Sequence, residues 1–310
     1  MAIDITRLLL APILCLLITS KSFAEQVDLN TGLTKNIKYF DEIVSVSYEM
    51  VDVTTFPEKV GADDLHRKLN YSEAGNKFMF HFTQKWKGSS DVVAQGAYNG
   101  EHFQVLNGAH LYIKTGRPEL LPALFGTNHF FSPFDFLRVA VAKPEEPLEA
   151  TFTLFDYKVK SNWKVLSEKM SKKKEDRFFL DKKGAIFTFE GLHFGKAVIV
   201  EVLLDPQQDY FPVAWKRYQK ARPKHGDTYE LLKMSQYKNK SSIINYASKM
   251  RLSQYCGEDV PCAVSTVELL SVSINEKSEN EFEDPYTIDI DKATTIFDAD
   301  HNKIIPLPRN

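Results

Sequence analysis

The stretch KFMFHFTQK, residues 77–85, sets Phe78, Phe80 and Phe82 at every second position, with Met79, His81 and Thr83 between them. Period-two spacing of this kind puts the three rings on one face of a β-strand and calls for a buried side to the sheet. Residues 73–76, Glu73-Ala74-Gly75-Asn76, form a turn cluster just before it. Across that turn, residues 65–72 supply the partner, so the pair reads as an antiparallel hairpin.

Working outward, residues 92–98 and 101–106 flank Asn99-Gly100, the strongest short hairpin signal in the chain. Upstream, Val44, Val46, Tyr48 and Met50 alternate with Ser45, Ser47 and Glu49. Val51 and Val53 then carry the apolar positions onto the other register, which predicts a bulge or strong bend. Downstream, strands are expected at 178–180, 186–189, 198–204, 213–218, 229–237, 250–255, 263–274, 286–290 and in a closing pair around 298–302.

Three segments break the strand pattern. In residues 28–40, Leu29, Leu33, Ile37 and Phe40 recur at helical spacing and predict an amphipathic helix lying across a sheet. Residues 162–171 read as another helix. The third segment, PELLPALFGTNHFFSPFDFLRVAV at 118–141, is strongly apolar and can start helices at Pro118 and Pro133, where the missing amide does no harm.

The first 24 residues carry Arg7, an apolar run from Leu8 to Ile18 and Ser22-Phe23-Ala24 before Glu25. This is the pattern of a secretory signal cleaved after Ala24. At about 11 residues the run is well short of the ~20 that cross a bilayer as a helix. The reading is therefore a signal peptide, 1–24, and a single exported domain, 25–310, that does not span a membrane. With 39 basic against 41 acidic side chains, the charge balance argues against nucleic acid as a partner. In an oxidising compartment Cys256 and Cys262, with five residues between them, pair naturally as a local disulfide; two isolated thiols are the alternative.

Several short motifs carry a resemblance: Ala97-Tyr98-Asn99-Gly100-Glu101 on a hairpin, Tyr210-Phe211-Pro212-Val213-Ala214-Trp215 after a strand turn, and Tyr286-Thr287-Ile288-Asp289 leading to Thr295-Ile296-Phe297-Asp298. Together with the order of segments, they make the chain resemble the outer-membrane lipoprotein-sorting proteins of the LolA/LolB-like type. That resemblance implies a periplasmic location and an unclosed antiparallel β-barrel, or half-barrel, that encloses the amphipathic helix and a helical lid or plug. It also implies a hydrophobic cavity that holds lipoprotein acyl chains or other lipids. The expected ligand-binding groove is formed by Leu120, Leu121, Leu124, Phe125, Phe130, Phe131, Phe134 and Leu137 of the insert, facing Phe78, Phe80 and Phe82. The insert is either a permanent plug or a movable lid.

No catalytic residue, cofactor or metal is expected. The eight histidines never form a helical zinc pair, and there is no G-x-S-x-G elbow or phosphate-binding glycine loop. Asp298-Ala-Asp300-His-Asn302 alternates oxygen ligands but lacks the glycine and glutamate of a calcium loop, so it reads as a hairpin turn. The basic stretch 169–183 reads as a solvated face. The expected function is that of a non-enzymatic lipid carrier, and an envelope interaction module with a protein partner is the alternative.

Overall fold

A computed structural model describes residues 34, 43–59, 63–75, 77–86, 89–116, 173–193, 196–238, 243–276, 288 and 290–307. In chain order the strands are β1 (Ser45–Thr55), β2 (Leu65–Ala74), β3 (Lys77–Trp86), β4 (Val92–Tyr98), β5 (His102–Asn107), β6 (His110–Thr115), β7 (Lys173–Phe179) and β8 (Lys182–His193). They continue as β9 (Lys196–Asp205), β10 (Phe211–Gln219), β11 (Arg222–Lys238), β12 (Ile243–Cys256), β13 (Ala263–Ile274), β14 (Thr295–Asp298) and β15 (Lys303–Pro306).

All fifteen belong to one sheet, ordered β15-β14-β6-β5-β4-β3-β2-β1-β13-β12-β11-β10-β9-β8-β7. The sheet is unclosed, with β15 and β7 as its free edges. Every neighbouring pair is antiparallel except β14 on β6, which is parallel. Hairpins connect most neighbours directly, and the long-range closure is made by β1 pairing β13 across more than two hundred residues.

One face of this sheet is a mainly apolar wall. Following the register, Trp215, Tyr229, Leu252, Ser265, Thr54 and Leu65 lie side by side across six strands, and all are buried. Each fully buried aromatic or aliphatic side chain contributes roughly 1.5–3 kcal/mol. Burial, and then the carboxylate of Asp227, hold the Tyr229 phenol well above its ordinary value.

A second, smaller apolar cluster lies on the opposite face, where Ala97, Leu106 and Leu111 are covered by Ile288 and Ala293 of the C-terminal segment. A 3₁₀ turn, Ile290–Lys292, begins at the last residue of the expected strand 286–290, whose other residues except Ile288 lie outside the described ones.

The expected fold class needs correction. No α-helix is among the described elements; the expected helices at 28–40, 118–141 and 162–171 fall outside the described residues, apart from the single helical residue Thr34. The observed fold is one large sheet, not a half-barrel enclosing an amphipathic helix and a helical lid. The physical reason lies in the rings. The Phe80 ring lies over Gly96 of the next strand, where an added Cβ would sit 2.1 Å from it, so part of the apolar cover comes from the sheet's own side chains.

The expected bulge is real but sits elsewhere. The β1–β2 register runs unbroken, while the shift in β1–β13 pairing leaves Leu270 of β13 as the extra, exposed residue. Strand β1 keeps its phase, so Asp52 and Thr54 point into the wall and Val51 and Val53 away from it.

Candidate functional site

The alternation that makes the strands also assembles a chain of rings across the wall. Tyr48 meets Tyr71 at 5.2 Å between ring centroids, Tyr71 meets Phe78 at 6.2 Å, and Phe78 meets Phe103 at 6.0 Å. Phe103 then meets Tyr112 at 6.2 Å, and Tyr112 meets Phe297 at 5.7 Å. The contacts run from β1 through β2, β3, β5 and β6 to β14, with Tyr98 of β4 beside Phe78 at 5.8 Å. Offset and tilted pairs at these separations are favourable beyond their buried area.

Phe78, Phe80 and Phe82 are brought together as expected, and all three are buried to 3% exposure or less. The insert residues Leu120, Leu121, Leu124, Phe125, Phe130, Phe131, Phe134 and Leu137 lie outside the described residues. Cys256 and Cys262 are bonded, with their Cα atoms 5.9 Å apart.

At one end of the ring ladder the wall turns polar. Arg67 of β2 pairs with Asp52 of β1 at 2.5 Å, and its Nη2 donates to Thr54 Oγ1 at 2.5 Å. Thr54 in turn is 2.6 Å from Ser265 Oγ on β13. Burial pushes the Asp52 carboxyl up from 3.8 to about 6 despite the guanidinium beside it, and burial likewise lowers Arg67. Both shifts agree that desolvation exceeds the mutual attraction of the pair. Among the described residues, Asp52 Oδ1 and Arg67 Nε have no hydrogen-bond partner.

Beyond Arg67 the same end of the sheet opens into an apolar rim. Trp86 is 38% exposed and stacks on Phe56 at 5.7 Å, while Val92, on the same face, is also exposed. On the other arm, Arg217 and Asp227 form a close ion pair beside the stacked rings of Trp215 and Tyr229, 3.7 Å apart. This pair borders a cleft of about 530 Å³ with Tyr218, Lys224, Tyr255 and Asp259. The disulfide loop walls that cleft and is tied to β11 by Lys224–Asp259 at 2.8 Å and by the Gly257 amide donating to the Lys224 carbonyl.

Among the described residues no group of histidine, cysteine and carboxylate side chains could hold a metal ion. The Asp298–Asn302 segment is the turn between β14 and β15. Asp298 Oδ1 accepts from the amides of Asp300 and His301, and Asp300 Oδ2 accepts from the Thr115 amide. No described helix is long and apolar enough to cross a membrane.

The ladder members outside 77–85 were legible in principle. The Asn99-Gly100 turn sets Tyr98 opposite Phe103, and that register carries the aromatic row onward to Tyr112. The Asp52–Arg67 pair gave no sequence signal, because fifteen positions and a turn separate them and an acidic residue reads as solvent-facing.

No protein-family model matches the sequence, and no curated protein matches it. Among solved structures, the chain is similar to a DUF1329 family protein from Desulfovibrio piger, at 11% identity over 83% of this chain and 97% of that one, with a TM-score of 0.36. It is also similar to a β-barrel-like protein of the domain of unknown function DUF1849 from Brucella abortus, at 10% identity over 75% and 98% of the two chains, with a TM-score of 0.26. These likenesses assign no family to the chain.

Proposed function

We propose that this is an exported, periplasmic, non-enzymatic binding protein that carries an acyl chain or another lipid against its aromatic wall. The observation behind this reading is the ring ladder from Tyr48 to Phe297, a continuous apolar track on one face of an unclosed sheet. Binding along such a track needs no catalytic group, since each buried CH₂ contributes about 0.8 kcal/mol. Lipoprotein acyl chains are the cargo implied by the LolA/LolB-like resemblance.

Native mass spectrometry of protein recovered from the periplasm, together with uptake of a fluorescent fatty acid, tests the reading. Co-purified lipid and saturable uptake are expected. A lipid-free protein that takes up no probe would overturn it.

One observation favours a second reading, an envelope interaction module. Phe82 and Phe103 are 0% exposed, as permanent core would be. Capture of one stoichiometric protein partner by a lipid-free chain would decide for that reading.

A further inference from the structure

The cleft of about 530 Å³ beside the disulfide loop is open space that the lipid reading does not use, and it is the size of a small-molecule site. Three neighbouring strands line it in register. Tyr218 of β10 stands opposite Gly226 of β11, and Gly226 stands opposite Tyr255 of β12. Two positions along, Lys216 stands opposite Thr228. All five are an odd number of residues from Trp215, Tyr229 or Leu252 of the wall, which puts them on the other face of the sheet. Tyr218 and Tyr255 are two strand spacings apart, about 10 Å. Gly226 raises no side chain between them and admits none, since a Cβ there would run into the Arg217 carbonyl oxygen. Leu180 of the β7–β8 turn and Glu258 of the disulfide loop complete the lining.

The charges of the cleft are balanced. Arg217 pairs with Asp227, and Lys224 pairs with Asp259. Lys216, whose ammonium lies 5.0 Å from the centre of the Tyr218 ring, and Glu258 have no ion-pair partner among the described residues. We propose that this cleft binds a neutral saccharide of one or two sugar units, packed on Tyr218 and Tyr255 and hydrogen-bonded by Lys216, Thr228 and Glu258. The face of an aromatic ring is its negative side, and the C–H bonds of a sugar turn their positive ends toward it. Sugar hydroxyls both donate and accept, so they match an ammonium donor and a carboxylate acceptor together. A charged ligand would suit one of Lys216 and Glu258 and oppose the other. The site is also ordered in advance. Cys256 of the disulfide follows Tyr255 directly, and the Gly257 amide donates to the Lys224 carbonyl, so less ordering is left for binding to impose.

The test titrates the full exported chain with maltose, cellobiose and diacetylchitobiose, read by saturation-transfer NMR. Cationic chitobiose and anionic cellobiouronate serve as charged controls. At least one neutral disaccharide should bind with a Kd of about 1 mM or tighter, and both controls about tenfold more weakly. Tyr218→Ala and Tyr255→Ala should each weaken the neutral sugar by about tenfold through the lost ring face. Glu258→Ala, at an exposed position that does not put the fold at risk, should weaken it by about fivefold. No binding of any neutral disaccharide, tighter binding of a charged control, or an unchanged affinity in Glu258→Ala overturns the proposal. Lipid uptake on the opposite face is a separate property, and its outcome bears on neither result.

Discussion

The ring ladder and the polar knot share one face of one sheet, yet they are held by different physics. Tyr71, Phe78 and Phe103 pack through area and ring geometry, contacts that tolerate small shifts. Four residues further along β1 and β2, Asp52, Arg67, Thr54 and Ser265 hold one another by directional bonds at 2.5–2.6 Å, where a missing partner leaves a desolvated charge. The ladder thus stabilises the wall on its own, whereas the knot contributes shape and polarity at a net cost.

The contrast can be broken first by truncation. Phe103→Ala removes a ring with no exposed surface and should cost about 3–5 kcal/mol, read from urea unfolding. A loss below 1 kcal/mol would mean that the ladder is not core. Arg67→Met should cost a similar 3–5 kcal/mol because it strands Asp52, while the double Asp52→Leu, Arg67→Met variant should return to within about 1 kcal/mol of wild type. If the double variant is as unstable as the single one, the pair is net stabilising and the contrast fails.

Titration sharpens the same point. Because the Asp52 carboxyl is raised from 3.8 to about 6, the folded chain holds its proton more tightly than the unfolded chain does. Its contribution to stability is therefore full below about pH 4 and is lost, by ~3 kcal/mol, as pH rises to about 6. The groups that act on Asp52 are Arg67 and Thr54. Asp298 and Asp300 act in the opposite sense at lower pH, since hydrogen bonds from His301 and from Thr115 hold them below the ordinary value. The Asp52 part is the difference between wild-type and double-variant curves, and parallel curves would refute it.

Smaller effects are expected from two backbone features. Reducing the Cys256–Cys262 bond, or replacing both cysteines by serine, should cost about 2 kcal/mol for so short a loop. Such loss should be felt at the charged cleft beside β11 and leave the ring ladder intact, as amide exchange would show. Gly96→Ala should cost about 1–3 kcal/mol by pushing the Phe80 ring off the wall. A neutral result would show that the ring moves freely.

The strands were legible wherever apolar and polar positions alternate cleanly, as in 77–85 and 92–106, and there the turn residues gave the pairing as well. Two departures are instructive. The Asn99-Gly100 turn is longer than a two-residue hairpin, with Glu101 still outside β5 and both following amides bonded to Asn99 Oδ1. In β1, Val51 and Val53 suggested a change of phase, but the strand kept its phase and buried Asp52 and Thr54 instead. Local hydrophobicity chose the wrong face there because the charge on Asp52 is met by Arg67 from the next strand. That partner is visible only once β1 and β2 are in register.

Sequence alone determined that this chain builds antiparallel strands with one greasy face, since period-two spacing and turn chemistry act between near neighbours. Which strands close the sheet was decided by the tertiary structure: β1 lies on β13 and β14 on β6 through contacts that no local pattern encodes. The same holds for the buried ion pair. A charge can leave water only when a distant residue arrives to meet it, and that arrival is a property of the folded sheet.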